Sequence, residues 1–185
     1  AARQAEVLVG AMADKMLGAG ELCIRLLGVG AGERAAAHAL NVTVVSMLMA
    51  RTLGLADDEL RDLGVGALLH DIGKMDLPTR VHHLEESFTG AEVKAYRDHV
   101  TLGVARAKRM GLAAGAAQVV AQHHELADGS GFPGRLGLDA MSPASRIVAL
   151  VNRFDNLSNP GPRGIALTPH EAVSTQLAQS RSKLD

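Results

Sequence analysis

Hydrophobic positions recur along this chain at helical spacing. Over residues 3–18, Val7, Leu8, Ala11 and Met12 fall near one helical face, and Gly18 and Gly20 break the run. Residues 21–30 are apolar and punctuated by glycine, which predicts a short helix and a turn. From Glu33 to Leu53 the chain is apolar almost all round, with Leu40, Val44, Met47 and Leu48 interleaved with Val42, Val45 and Met49. Such a helix belongs at the centre of a bundle. Gly54 stops it. Asp57 and Asp58 open the next helix, at the end where the dipole favours carboxylates. That helix runs into His70-Asp71, and Pro78 ends the turn beyond. Residues 79–89 are polar and irregular. Thr89 and Glu92 make a capping-box pattern for a helix through Met110. Another helix, over residues 113–125, ends in His123-His124-Glu125. The loop from Asp128 to Gly134 is too rich in glycine for a regular element. Ser142-Pro143 introduces a helix to about Leu157. Asn159-Pro160-Gly161-Pro162 forbids helix, and Thr168-Pro169 starts the last one. No strand pattern exceeds four residues. The expected fold class is all-α, a bundle of about seven helices.

Composition narrows the partners. At 185 residues the chain is long enough for one domain with a sizeable core. Residues 1–30 read as an N-terminal helical extension or linker, and residues 31–185 as the domain proper. A net charge of -1 argues against nucleic acid or an anionic membrane as the main partner. No run of eighteen apolar residues predicts a membrane span, and no signal peptide is visible. The chain begins without Met, so it reads as a piece of a longer protein. The single Cys23 excludes an internal disulfide and fits a reducing compartment, so a cytoplasmic location is expected. Aromatics are 2% with no Trp, which leaves Ala, Leu, Val and Met to build the core. Against that plain background, eight histidines are the anomaly.

One stretch concentrates the chemistry. Val65 to Leu69 are apolar apart from glycine, yet they lead into His70, Asp71, Gly73 and Lys74. A buried carboxylate or ammonium costs several kcal/mol, roughly, unless it is paired or metal-bound. Asp71 could bridge two cations through its two oxygens, with His70 on one of them and Lys74 holding an anion alongside. The alternative is a helix C-terminus, with His70 and Lys74 meeting the dipole, Gly73 capping and Asp71 solvated. Further histidines shift that balance. His38, His70, His99 and the pair His123-His124 sit on four predicted helices, each near an end or a glycine. A lone histidine on an apolar face is usually a core residue. Five spread over four helices, with one carboxylate, fit a di-metal hydrolase site inside a bundle. Neighbouring histidines on a helix point about 100° apart. His123 and His124 can therefore face one metal only where the helix ends.

The run His70-Asp71-Ile72-Gly73-Lys74, then His99 with Gly103, then His123-His124-Glu125 and Asp128-Gly129-Ser130-Gly131-Phe132-Pro133, resembles the HD-GYP domain. This is a subfamily of the HD-superfamily metal phosphohydrolases, and the likeness runs from about His38 to about Glu171. The resemblance implies a bacterial, all-helical HD-type fold. It implies a metal-dependent phosphodiesterase that hydrolyses cyclic di-GMP to linear pGpG or GMP, with two divalent ions, usually iron or manganese. It makes Asp71 the bridge and catalytic carboxylate. His38 and His70 would serve one metal, with the position of Asn152; His99, His123 and His124 would serve the other. Lys74 would hold the scissile phosphate. Gly131, Phe132, Pro133 and Arg163 would contact the ligand, with Phe132 either stacking on a guanine or plugging the loop down.

Several positions depart from that family. Asn152 stands where the family places an Asp that ligates the first metal, so this half of the site loses a charge; Asp155, one turn along, could reach inward, though its family role is not ligation. Gly161-Pro162-Arg163-Gly164 replaces the family's phosphate-contacting segment, leaving Arg163 as the substitute. Arg34 occupies the place of the Glu that three-metal members carry, so two metals are expected. An alternative follows: a catalytically impaired module that binds nucleotide or a signalling partner such as a GGDEF-domain protein. Pairing of the N-terminal helix with a second copy would give a homodimer. His82, His83 and His170 match no ligand and read as surface residues. Glu125 is expected to orient a histidine, and Asp128 to serve a turn.

Overall fold

The computed structural model describes residues 1–17, 34–85, 87–160 and 164–180. Within them run the α-helices α1 (Ala2–Leu17), α2 (Arg34–Thr52), α3 (Asp57–Leu69), α4 (Gly90–Met110), α5 (Ala114–Gln122), α6 (Pro143–Ser158) and α7 (Pro169–Ser180). Among the described residues there is no strand, only one isolated bridge between Asp128 and Gly137. The expected short helix over residues 21–30 lies outside the described residues, as do Cys23 and Arg163. Among the described residues no helix is long and apolar enough to cross a membrane.

Local chemistry sets the helix ends. Thr89 Oγ1 accepts from the Glu92 N–H, while the Glu92 carboxylate accepts from the Thr89 N–H at 2.9 Å. The same reciprocal pairing joins Thr168 and Glu171 ahead of α7. Ser142 Oγ accepts from the Ser145 N–H at 3.1 Å, and Pro143 fills the first turn of α6. Each satisfies donors that the first helical turn would leave orphaned. α4 ends at Gly111, whose φ of 69° is the left-handed cap geometry.

α2 packs against both α3 and α6, as its nearly all-round apolar surface requires. Val42, Met47 and Ala50 of α2 are fully buried with Leu63 of α3, Val119 of α5 and Val148 of α6. Val9 and Ala13 of α1 sit in this same core. Small side chains let these helices approach closely, and the buried apolar area is what holds them.

The tightest approach lies just after α3. There a 3-10 turn, Ile72–Asp76, packs on α4. A Cβ added to Gly73 would stand 1.9 Å from the His99 carbonyl oxygen and 2.5 Å from the Gly103 nitrogen. Gly73 therefore does not cap a helix. The glycines with positive φ among the described residues are Gly54, Gly111 and Gly129. Gly73 is small so that the Asp71 turn can lie against the backbone of α4 beside His99. Gly73→Ala should cost at least about 3 kcal/mol in urea unfolding, because the obstructing atoms are helix backbone. Gly90→Ala, where a Cβ meets nothing within 4 Å, should be neutral within about 0.5 kcal/mol.

Candidate metal centre

The histidines arrive from different elements. His38 stands one turn into α2, and His70 caps the C-terminus of α3. Asp71 begins the 3-10 turn, and His99 lies in the middle of α4. α5 stops at Gln122, so His123 is its C-cap and His124 follows on the turn. That early stop lets both rings enter one site, with their centroids 4.3 Å apart. His70, His99 and His123 are completely buried.

Asp71 joins two sets. Its Oδ1 lies 3.3 Å from His99 Nε2 and 3.8 Å from His123 Nε2. Its Oδ2 lies 3.4 Å from His70 Nε2, 3.9 Å from His38 Nε2 and 2.6 Å from Lys74 Nζ. Asp71, His99, His123 and His124 are close enough to hold one ion, and His38, His70 and Asp71 another. Asp71 Oδ1 is buried and, among the described residues, accepts no hydrogen bond.

The ring orientations fit cations. His70 Nδ1–H donates to the Ala67 carbonyl at 2.7 Å, and His123 Nδ1–H to the Val120 carbonyl at 2.8 Å. His99 Nδ1–H donates to the Tyr96 carbonyl. A carbonyl only accepts, so the proton sits on Nδ1 and the neutral ring keeps its lone pair on Nε2. Those Nε2 atoms face one another: His38 and His70 at 3.2 Å, His99 and His123 at 3.3 Å. Two lone pairs cannot bond each other. Nitrogen ligands at about 2.1 Å from one ion stand roughly 3.0–3.4 Å apart, which is the spacing found. The donor set of imidazoles plus carboxylate suits iron, manganese or zinc.

Electrostatics set the protonation states. Burial pushes Asp71 upward, but Lys74 and His70 outweigh it and hold the carboxyl well below its ordinary value. Burial depresses Lys74, but Asp71 outweighs that and keeps the ammonium above its ordinary value. Burial, reinforced by neighbouring histidines, holds His123 and His124 well below the ordinary histidine value. Ionised Asp71 and neutral imidazoles are the forms that bind metal.

Other expected residues fall out differently. Asn152 is buried on α6, and its side-chain oxygen accepts from Asn156 Nδ2 at 2.9 Å. Phe132 stacks on the His124 ring, with centroids 4.6 Å apart and 18° between planes. Its N–H donates to the His124 carbonyl, so the ring holds the loop against the centre. Gly131 is buried, and its missing Cβ would meet Glu125 Cα at 2.5 Å. Its lack of a Cβ lets the loop lie against the backbone of residues 124–126. Pro133 is exposed at the rim. Glu125 orients no histidine; it accepts from the Gly134 and Leu136 N–H groups at 2.6 and 2.8 Å and pins the loop. Asp128 is the turn residue expected, accepting from the Ser130 N–H. His170 is exposed, but His82 and His83 are half-buried. His82 bonds the Leu77 carbonyl. Burial and the charges of Lys74 and Arg34 push His83 below the ordinary histidine value.

Two further residues bear on the site: Tyr96, which the sequence did not single out, and Asp155, expected to reach inward without ligating. Tyr96 lies one turn before His99, with its hydroxyl 3.4 Å from His124 Nε2 and its ring under Lys74 Nζ. Being the chain's one tyrosine, a turn from a candidate ligand, was the available signal. Asp155 accepts from His38 Nδ1–H at 2.5 Å.

Among the described residues, seven helices surround two histidine sets that share one carboxylate and could each hold a metal ion. A model of the HD domain matches residues 24–185, and the chain belongs to the HD-domain family. It is 35% identical over 124 residues to the 3'3'-cGAMP-specific phosphodiesterase 2 of Vibrio cholerae, covering 65% of this chain and 24% of that protein. It is 33% identical over 138 residues to the cyclic di-GMP phosphodiesterase response regulator RpfG of Xanthomonas campestris, covering 73% of this chain and 36% of that protein. The HDG"Y"P protein Bd1817 of Bdellovibrio bacteriovorus shares the fold, with a TM-score of 0.72 and 22% identity over 85% of this chain and 51% of that one. The chain thus spans between about a quarter and about half of these three proteins.

The neutral His123 and His124 make stability depend on pH. Unfolded, they protonate near the ordinary value of 6.5; folded, they resist protonation. The unfolded chain therefore binds more protons as pH falls below about 6.5, and stability drops from there downward. Asp71 acts in the same direction but only below its ordinary 3.8, outside this window. The metal-free protein should show a lower urea midpoint at pH 5.5 than at pH 7.5. Equal midpoints would contradict the buried neutral pair.

Proposed function

We propose that this chain is the metal-dependent phosphodiesterase module of a protein that hydrolyses a cyclic dinucleotide, with cyclic di-GMP as the substrate and pGpG or GMP as product. The observation that carries this reading is the pair of Asp71 oxygens, each turned to a separate histidine set. His38, His70 and Asp71, with the position of Asn152, would hold one divalent ion. Asp71, His99, His123 and His124 would hold the other, with iron or manganese as the metal. When bound, such a pair supplies an acidified water and Lewis acidity toward a phosphodiester.

The chain's own residues do the rest. Lys74, kept protonated beside Asp71, binds a phosphoryl oxygen and offsets the charge that develops there. The Tyr96 hydroxyl fixes the His124 ring, and Phe132 covers it from the loop. Pro133, exposed on the loop, would contact the nucleotide, as would Arg163, which lies outside the described residues. The names of the relatives divide between cyclic di-GMP and 3'3'-cGAMP, so both nucleotides belong in the test.

Protein prepared without oxygen and loaded with Fe(II) or Mn(II) should release linear product from cyclic di-GMP faster than from 3'3'-cGAMP. Asp71→Ala should lower the rate by at least about 100-fold, since it removes the shared ligand. Faster turnover of 3'3'-cGAMP would move the substrate assignment. No product from either would overturn the enzymatic reading and leave a module that binds nucleotide or a signalling partner such as a GGDEF-domain protein. Asn152→Asp should tighten metal binding about 10-fold, read by isothermal titration, because it returns a charged ligand. Unchanged binding would remove Asn152 from the ligand set.

A further inference from the structure

We infer that Asp155 is a positioning residue for His38, and that it supplies the charge which Asn152 withholds from that half of the centre. The inference rests on the proposed role of His38 as a metal ligand. It begins from an asymmetry among the rings. His70, His99 and His123 each anchor Nδ1–H on a neutral carbonyl three residues back in their own helix. His38 alone of these anchors on a carboxylate, that of Asp155 at 2.5 Å, from a helix 117 residues along the chain.

That carboxylate is held for the purpose. Asp155 is 1% exposed, and among the described residues its ion-pair partner is His38. Its Oδ1 accepts from Asn41 Nδ2 at 3.0 Å and from Asn159 Nδ2 at 2.9 Å. A buried carboxylate is costly unless hydrogen-bonded, and here α2 and the end of α6 supply the donors. With Oδ1 tethered, Oδ2 stays on His38 Nδ1. The ring is then fixed with Nε2 toward His70 Nε2 at 3.2 Å and Asp71 Oδ2 at 3.9 Å.

The charge matters because this half is poor in it. Its own carboxylate is Asp71, shared with the other half. Asn152, on the same helix face one turn before Asp155, is a neutral amide engaged by Asn156. A carboxylate on Nδ1–H makes an imidazole a stronger donor than a carbonyl does. Asp155 thus works through His38 rather than as a ligand.

The test uses the whole chain and reads Mn(II) binding by titration, with bound metal counted by elemental analysis. Wild type should bind two ions, one more tightly. Asp155→Asn should weaken the looser ion about 10- to 100-fold and leave the tighter one unchanged. Adding Asp155→Asn to His38→Ala should cause no further loss, which a merely structural role would not predict. Asn159→Ala keeps the carboxylate but removes one tether; it should weaken the looser ion by about 3-fold, and it serves if Asp155→Asn fails to fold. Unchanged affinity in Asp155→Asn, or an equal loss in the His38→Ala background, would overturn the proposal. Two ions held undiminished by His38→Ala would instead refute the metal role of His38 itself, and this proposal with it.

Discussion

A carboxylate buried among imidazoles is the constraint on which this structure turns. Asp71 keeps its charge in a place that disfavours charge because Lys74 and the histidines stabilise it from two sides. Lys74 and Asp71 keep each other ionised in turn. Among the described residues, the arrangement still leaves Oδ1 without a donor and sets imidazole lone pairs face to face. Both features are unfavourable in an empty core, and both are relieved by cations. The site is therefore built for ions first and for packing second.

Bringing four helices to one carboxylate demands close crossings, and the small residues serve that end. Gly73 and Gly103 let the Asp71 turn lie against α4 beside His99. The early end of α5 turns two neighbouring histidines into one site. Glu125 then fixes the glycine-rich loop, and Phe132 seats it on His124. Core burial of Met47, Leu63 and Val148 holds the frame to which these pieces attach.

What could be read from sequence was what local chemistry determines. Thr89 with Glu92, Ser142 with Pro143 and Thr168 with Glu171 announce helix starts because their partners lie within one turn. His38, His70, Asp71, Lys74, His99, His123 and His124 stood out as polar groups in an apolar frame, and the fold brings them together. What escaped depends on distance. Asp155 is expected inward, but its partner His38 lies 117 residues away, and Glu125 meets backbone groups nine and eleven residues on. Gly73 was read as a possible cap because a tight turn and a close approach both ask for glycine. His83 lies in a polar stretch, and nothing local says that the charges of Lys74 and Arg34 bear on it.

The central claim is that Asp71 bridges two ions, and magnetic resonance reads that directly. Protein loaded with Mn(II) to saturation should give the spectrum of an exchange-coupled pair, as ions about 3.5–4 Å apart must. Asp71→Ala should abolish the coupling. A signal of isolated Mn(II) in the wild-type protein at full loading would contradict the account, because it would mean the two histidine sets share no carboxylate bridge.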